Sequence, residues 1–237
     1  MTILTRNYAN LVLEVKAHVE ADALTRGKYW DGSKGCFIGC LTHSQDPKPA
    51  IERFGLPESL LRIAENIFEA LPEYEGKAFF AALPDAVGCD GKDLTRVHWR
   101  FLALELRTLP QQDVIDAVIE GMDLLVAGEN WSNAADAAYS ATRAVNAFRR
   151  TTAAGVAANA AANAAYSAYY TGNAARAAAL AAYTSDATRA VYAAHATRYA
   201  ADATRSVALA ADATAIAARI QQRDSLLNLI KQAPMGE

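Results

Sequence analysis

The chain has 237 residues, 52% of them hydrophobic and 21% charged, with a formal net charge of -3. That is enough chain for one large globular domain or two smaller ones, and no uninterrupted apolar run approaches the roughly 18 residues a membrane span needs. Three cysteines, an odd number, argue against a disulfide scaffold and for reduced thiols in a cytosol.

Met1 to Ala9 lack a basic stretch followed by an apolar one, so no export signal is expected. Tyr8, Leu11, Leu13, Val15, Val19 and Leu24 form an amphipathic stretch that predicts a helix ending near Thr25-Arg26-Gly27. A loop is expected over residues 28–35. Gly55-Leu56-Pro57 predicts the end of one segment and the start of another, because proline suits a first helical turn. Leu60, Leu61, Ile63, Ile67 and Phe68 carry that second segment, and Leu71-Pro72 closes it. Residues 77–83 read as a short helix stopped before Pro84, and Gly88-Cys89-Asp90-Gly91 as a turn. Residues 94–106 and 112–125 are expected helices separated by Pro110. No run of alternating β-branched residues predicts a strand.

Residues 132–219 are close to half alanine, with no proline, lysine or glutamate. Alanine has the best helix propensity, so this window predicts helices, opening at Ser132 as an N-cap. Gly155 and Gly172-Asn173 are expected corners, and Thr184-Ser185-Asp186 an expected restart. Small faces let helix axes approach toward the short end of the roughly 8–10 Å range. Tyrosines fill the seams, and seven of the ten tyrosines lie in this window. The expected fold is therefore all-α: an acidic helical domain over residues 1–130, with an alanine-rich, closely packed helical bundle over residues 131–237 docked on it.

Charge divides the same way. Residues 1–132 carry 13 Lys+Arg against 20 Asp+Glu, whereas residues 133–219 carry eight Arg and four Asp. Mutual attraction of the two halves explains this plainly; an arginine-bearing surface that meets an outside anion is the sharper explanation. If one helix runs over residues 186–219, Arg198, Asp202 and Arg205 share an arc with Val191, Leu209 and Ile216, and Tyr192, His195 and Tyr199 lie alongside. With Arg189 these are the candidate ligand- or partner-binding residues, an Arg/Tyr groove for a phosphate, a nucleotide-like molecule or an acidic protein surface. The preferred explanation of the stripe is an internal Arg–Asp network that fixes register between alanine faces.

A second constellation runs from Tyr29 to His43. If a helix opens at Gly35, Cys36, Cys40 and His43 fall at i, i+4 and i+7 on one face. Thiolate and imidazole ligands suit Zn²⁺, and Cys89 could supply a fourth. The packing explanation, preferred here, is that the small cysteines and Gly39 permit a close helix crossing. A Cys36 nucleophile beside Lys34, with His43 or His98 as base, lacks an orienting third group. Asp31-Gly32-Ser33-Lys34-Gly35 lacks the spacing of a phosphate loop and reads as a tight turn.

Trp30-Asp31-Gly32-x-Lys34-Gly35-Cys36-x-x-Gly39-Cys40-x-x-His43 resembles a segment of an uncharacterised family of bacteriophages and prophage-bearing bacteria. Gly55-Leu56-Pro57, Ile67-Phe68-Glu69 and Leu71-Pro72 fit the same pattern, and the resemblance covers roughly residues 25–107. It implies a phage or mobile-element setting, a host-cytoplasm location and an accessory role, and it carries over no catalytic residues.

The expected function is thus a non-enzymatic accessory protein that binds a host protein or a small anionic molecule, with antagonism of host defence as its setting and no cofactor. The alternative is a zinc- or thiol-dependent protein centred on Cys36, Cys40 and His43. Nucleic acid is disfavoured, because the isoelectric point is about 5.8 and no nucleic-acid-binding motif is present.

Overall fold

A computed structural model of the chain describes residues 3–109, 113–153, 177, 180–182, 192–193, 195–196, 198–199 and 212–236. The architecture is all-α: helices predominate among the described residues, which form no sheet. Two compact units divide it, one made of Met1–His98 together with Arg219–Glu237, the other of Trp99–Ala218. Residue 130, where the composition changes, falls inside the second unit, and the C-terminal segment belongs with the first.

The first unit holds α1 (Tyr8–Glu20), α2 (Phe37–Thr42), α3 (Lys48–Phe54), α4 (Glu58–Ala70) and α5 (Glu73–Val87). Its punctuation follows local chemistry. Gly55 ends α3 in the left-handed region at φ 68°, and Pro57 precedes α4 in an extended conformation that a following helix accepts. The helix expected over residues 77–83 is longer: α5 runs through Pro84 to Val87. Pro84 sits in its last turn, where it removes one ladder bond while its carbonyl accepts the Gly88 N–H at 2.8 Å.

α2 packs against α1, α3 and α4, and α5 against α1 and α4. Phe37 is the centre of this arrangement, with ring centroids 6.1 Å from Phe68, 5.1 Å from Phe79 and 5.2 Å from Phe80. Leu11, Ile38, Leu41, Leu61 and Ile63 are buried with them, each side chain contributing on the order of 1.5–3 kcal/mol relative to exposure.

The chain's end closes the same unit. The last named helix, α9 (Asp212–Lys231), finishes against Lys92, whose ammonium donates to the carbonyls of Ile230 at 3.4 Å and Lys231 at 2.9 Å, and to Ala86 at 3.3 Å. These carbonyls lie in the last turns of α5 and α9, and that of Ile230 also accepts the Ala233 N–H. Asp93 N–H donates to Pro234 and Gly236 N–H to Gly91. Arg223 also pairs with Glu75 of α5, both largely buried.

In the second unit α7 (Asp113–Ala127) packs on α8 (Ala134–Ala153). The indole of Trp131 lies so close over Gly121 that a β-carbon there would meet it at 2.0 Å. α8 starts two residues after the expected Ser132 cap, with the Asn133 carbonyl accepting the Ala137 N–H at 3.1 Å. Ala138, Ala141, Ala177, Ala181, Ala193 and Ala196 are all buried, as close packing through methyl faces requires. Gly155, Gly172-Asn173 and Thr184-Ser185-Asp186 lie outside the described residues. α6 (Val97–Arg107) completes the set of named helices.

Candidate functional site

Glu14 and His18 are one turn apart on α1, so both side chains leave the same face of the helix. His18 is buried, and its Nδ1 donates to the Glu14 carbonyl at 2.8 Å. In the neutral ring that bond leaves the lone pair on Nε2, which faces His43.

His43 arrives from the other side. α2 stops at Thr42, and His43 takes the left-handed conformation (φ 54°, ψ 30°), its N–H donating to the Gly39 carbonyl at 2.7 Å. The turn carries the ring away from Cys36 and Cys40 and onto α1. His43 Nε2 lies 3.1 Å from His18 Nε2 and 3.6 Å from Glu14 Oε1. Trp30 stacks on His43 with centroids 4.4 Å apart and planes 27° apart, and meets His18 edge-on at 5.8 Å. Arg53 of α3 donates to Glu14 Oε2 at 2.6 Å, fixing the carboxylate from behind.

The loop that carries Trp30 is tied at several points. Thr25 N–H donates to Gly35, Gly35 N–H to Ala23, and Cys36 N–H to Lys28, each at 2.9 Å. Asp31 Oδ1 accepts from the Ser33 and Lys34 amides and the Ser33 hydroxyl, which holds its carboxyl down at about 2. Glu69 accepts the Gly27 amide with both oxygens. The result is a pocket of about 550 Å³ lined by Glu14, His18, Trp30, His43 and Arg53, within the usual range for small-molecule sites.

Cys36, Cys40, His43 and Cys89, the alternative metal set read from the sequence, do not converge on one point. Among the described residues, the groups of three or more ligand-bearing side chains that converge are Glu14–His18–His43 and Cys36–Glu65–Glu69. Cys40 is buried, its thiol directed at the carbonyls of Gly35 (3.3 Å) and Ala23 (3.6 Å). Burial pushes that thiol up to about 12 and raises Cys36 further, with the Glu65 charge adding to the second shift. Cys89 stands apart, its Sγ 3.8 Å from Met235 Sδ. The i, i+7 relationship required one helix from Gly35 to His43, and the six-residue α2 ends before it.

The Cys36–Glu65–Glu69 group is accounted for by packing. Glu65 Oε2 accepts the Ile38 amide at 2.8 Å, reaching from α4 to a free N–H in the first turn of α2. Desolvation raises Glu65 to about 7.

Of the Arg/Tyr stripe, Tyr192, His195, Arg198 and Tyr199 are described and helical; Arg189, Asp202 and Arg205 lie outside the described residues. Tyr192, His195 and Tyr199 form a run of edge-on rings, each step 6.4 Å. The Arg198 guanidinium sits 5.0 Å over the Tyr199 ring. Burial, with Arg198 assisting, lowers the His195 pKa.

Glu14, His18 and Arg53 were not singled out by the sequence reading. The usable signal was Glu14-x-x-x-His18 inside an amphipathic helix, a carboxylate and an imidazole at i, i+4. Comparison with protein-family models, with curated proteins and with solved structures gives no match. No helix among the described residues is long and apolar enough to cross a membrane.

Proposed function

We propose that the protein is a phage or mobile-element accessory protein that captures a small anionic, phosphate- or nucleotide-like molecule in the pocket beside α1. The observation that carries this reading is the pocket itself, about 550 Å³ with two imidazoles, an indole and a guanidinium on its wall. Trp30 supplies apolar area and Arg53 supplies donors for an anion, while Glu14 on the same wall has one oxygen taken up by Arg53. Arg53 spends one bond on Glu14 and one on the Leu41 carbonyl, which leaves others of its five donors for a ligand. The thiol-enzyme alternative loses support, because Cys36 and Cys40 are buried with raised pKa values.

The setting comes from the resemblance over residues 25–107, which includes Trp30, His43 and Arg53. Capture of a small molecule in the host cytoplasm is one means of antagonising a host defence. Native mass spectrometry of the full chain purified from infected cells tests the reading. A small-molecule adduct in the natural protein that is lost in Trp30→Ala supports it. A co-purifying host protein with no small molecule replaces it with the protein-binding function.

A further inference from the structure

We propose that Glu14, His18 and His43 bind one divalent transition-metal ion of the Zn²⁺ class, with its open coordination position facing the pocket. The metal's part in anion capture rests on the pocket being the ligand site described above; the metal site itself does not.

The first support is spacing. Nitrogen and oxygen ligands at about 2.0–2.2 Å from a tetrahedral Zn²⁺ lie roughly 3.3–3.6 Å from one another. His18 Nε2 and His43 Nε2 are 3.1 Å apart, and His43 Nε2 and Glu14 Oε1 are 3.6 Å apart. The second distance is too long for a hydrogen bond. It suits two ligands placed around a common cation.

The second support is proton placement. A carbonyl only accepts, so the bond to Glu14 O puts the His18 proton on Nδ1 and leaves the Nε2 lone pair directed at the cluster. Metal-bound histidines are commonly held this way, by a backbone carbonyl on the far nitrogen. The third is orientation of the other two ligands. Arg53 binds Glu14 Oε2 and leaves Oε1 toward His43, while Trp30 stacks on the His43 ring.

Two imidazoles and one carboxylate favour a borderline metal over Mg²⁺ or Ca²⁺, which prefer oxygen. Three protein ligands with a fourth side open to a pocket is the arrangement of reactive or ligand-binding zinc, whereas structural zinc is closed by four. An anion would take the open position and complete the coordination. The competing arrangement is a simple pair of neutral imidazoles in which His43 donates to His18.

Full-length protein stripped with a chelator and titrated with Co²⁺ separates these. The expected result is one Co²⁺ per chain, read from its visible absorption and displaced by Zn²⁺. Affinity should fall at least about 100-fold in His43→Ala and in Glu14→Gln, the upper end of what loss of an outer-shell partner costs, and should be unchanged in Cys89→Ser. His43 is exposed and Glu14→Gln keeps side-chain size, so a folded variant, checked by circular dichroism, remains for the test. Absence of saturable binding, binding indifferent to both substitutions, or a thiolate-to-cobalt band in the near ultraviolet overturns the site. Inorganic phosphate titrated into the stripped and the Co²⁺-loaded protein distinguishes the two levels. Cobalt uptake without phosphate binding keeps the metal and removes anion capture; phosphate binding to stripped protein that takes up no cobalt does the reverse.

Discussion

Gly39 lies directly against the carbonyl of Tyr29: a β-carbon at residue 39 would stand 1.3 Å from that oxygen. The same carbonyl crowds Gly35, at 2.3 Å. Together the two glycines let α2 press against the strap of chain that ends in Trp30, and this seats the indole over His43.

Gly39→Ala should therefore cost about 3 kcal/mol or more, since backbone and not a flexible side chain must move. Gly32→Ala meets nothing within 4 Å and is strained only by its φ of 101°, so its cost should stay near 1 kcal/mol. Thermal melting of both variants checks this ordering. Equal losses would mean that the Tyr29 contact does not set the fit of α2.

The three thiols should differ sharply in reactivity. Cys36 and Cys40 are buried with raised pKa values, whereas Cys89 is partly exposed. Iodoacetamide added to folded protein at pH 8 should modify Cys89 first, and Cys36 and Cys40 only after denaturation. Peptide mass mapping reads the order, and early labelling of Cys36 would contradict its burial.

Glu65 should make the first unit less stable at high pH. Its folded pKa is raised to about 7 from 4.5, with desolvation the main cause. The native state holds the extra proton between those values, so the stabilisation is fully present below about 4.5 and is lost as pH rises through about 7. The difference is on the order of 3 kcal/mol. Urea denaturation at pH 5 and pH 8 should show this loss in the natural protein and a smaller one in Glu65→Gln. Identical pH slopes in the two proteins would assign the effect elsewhere.

Lys92 should anchor the end of α9. Lys92→Met removes a charged donor from three carbonyls, which should lower stability by about 2 kcal/mol. Hydrogen exchange should rise at the amides around Ile230 and Gln232. Unchanged exchange there would show that the Pro234 and Gly236 backbone bonds hold the segment without it.

The helical architecture was legible because its signals are local. Alanine propensity, Gly55 before Pro57 and the apolar spacing of Leu60 to Phe68 each act within a few residues, and the helices follow them. Pro84 misled because a proline tolerated in a last turn looks, in sequence, like a stop. The candidate site was half legible. Trp30 and His43 stood in a segment that drew attention, but reading residues 35–43 as one helix grouped His43 with the cysteines. Thr42-His43-Ser44-Gln45-Asp46-Pro47 is a polar run into a proline, and it marked the helix end that reading passed over. Glu14 and His18 were hidden because their significance depends on a partner 25 residues away in sequence, which no periodicity reports.

Because residues 219–237 belong to the same unit as residues 1–98, that unit is discontinuous in the chain, with residues 99–218 inserted between its parts. On the ribosome α1 to α5 are made before α9, so Glu75 lacks Arg223, and Lys92 has only the Ala86 carbonyl of its three acceptors, until α9 has been translated. Those five helices stay incompletely covered until α9 is made. Completing the first unit joins residues on either side of residues 99–218, and the entropy of closing such a loop grows with its length.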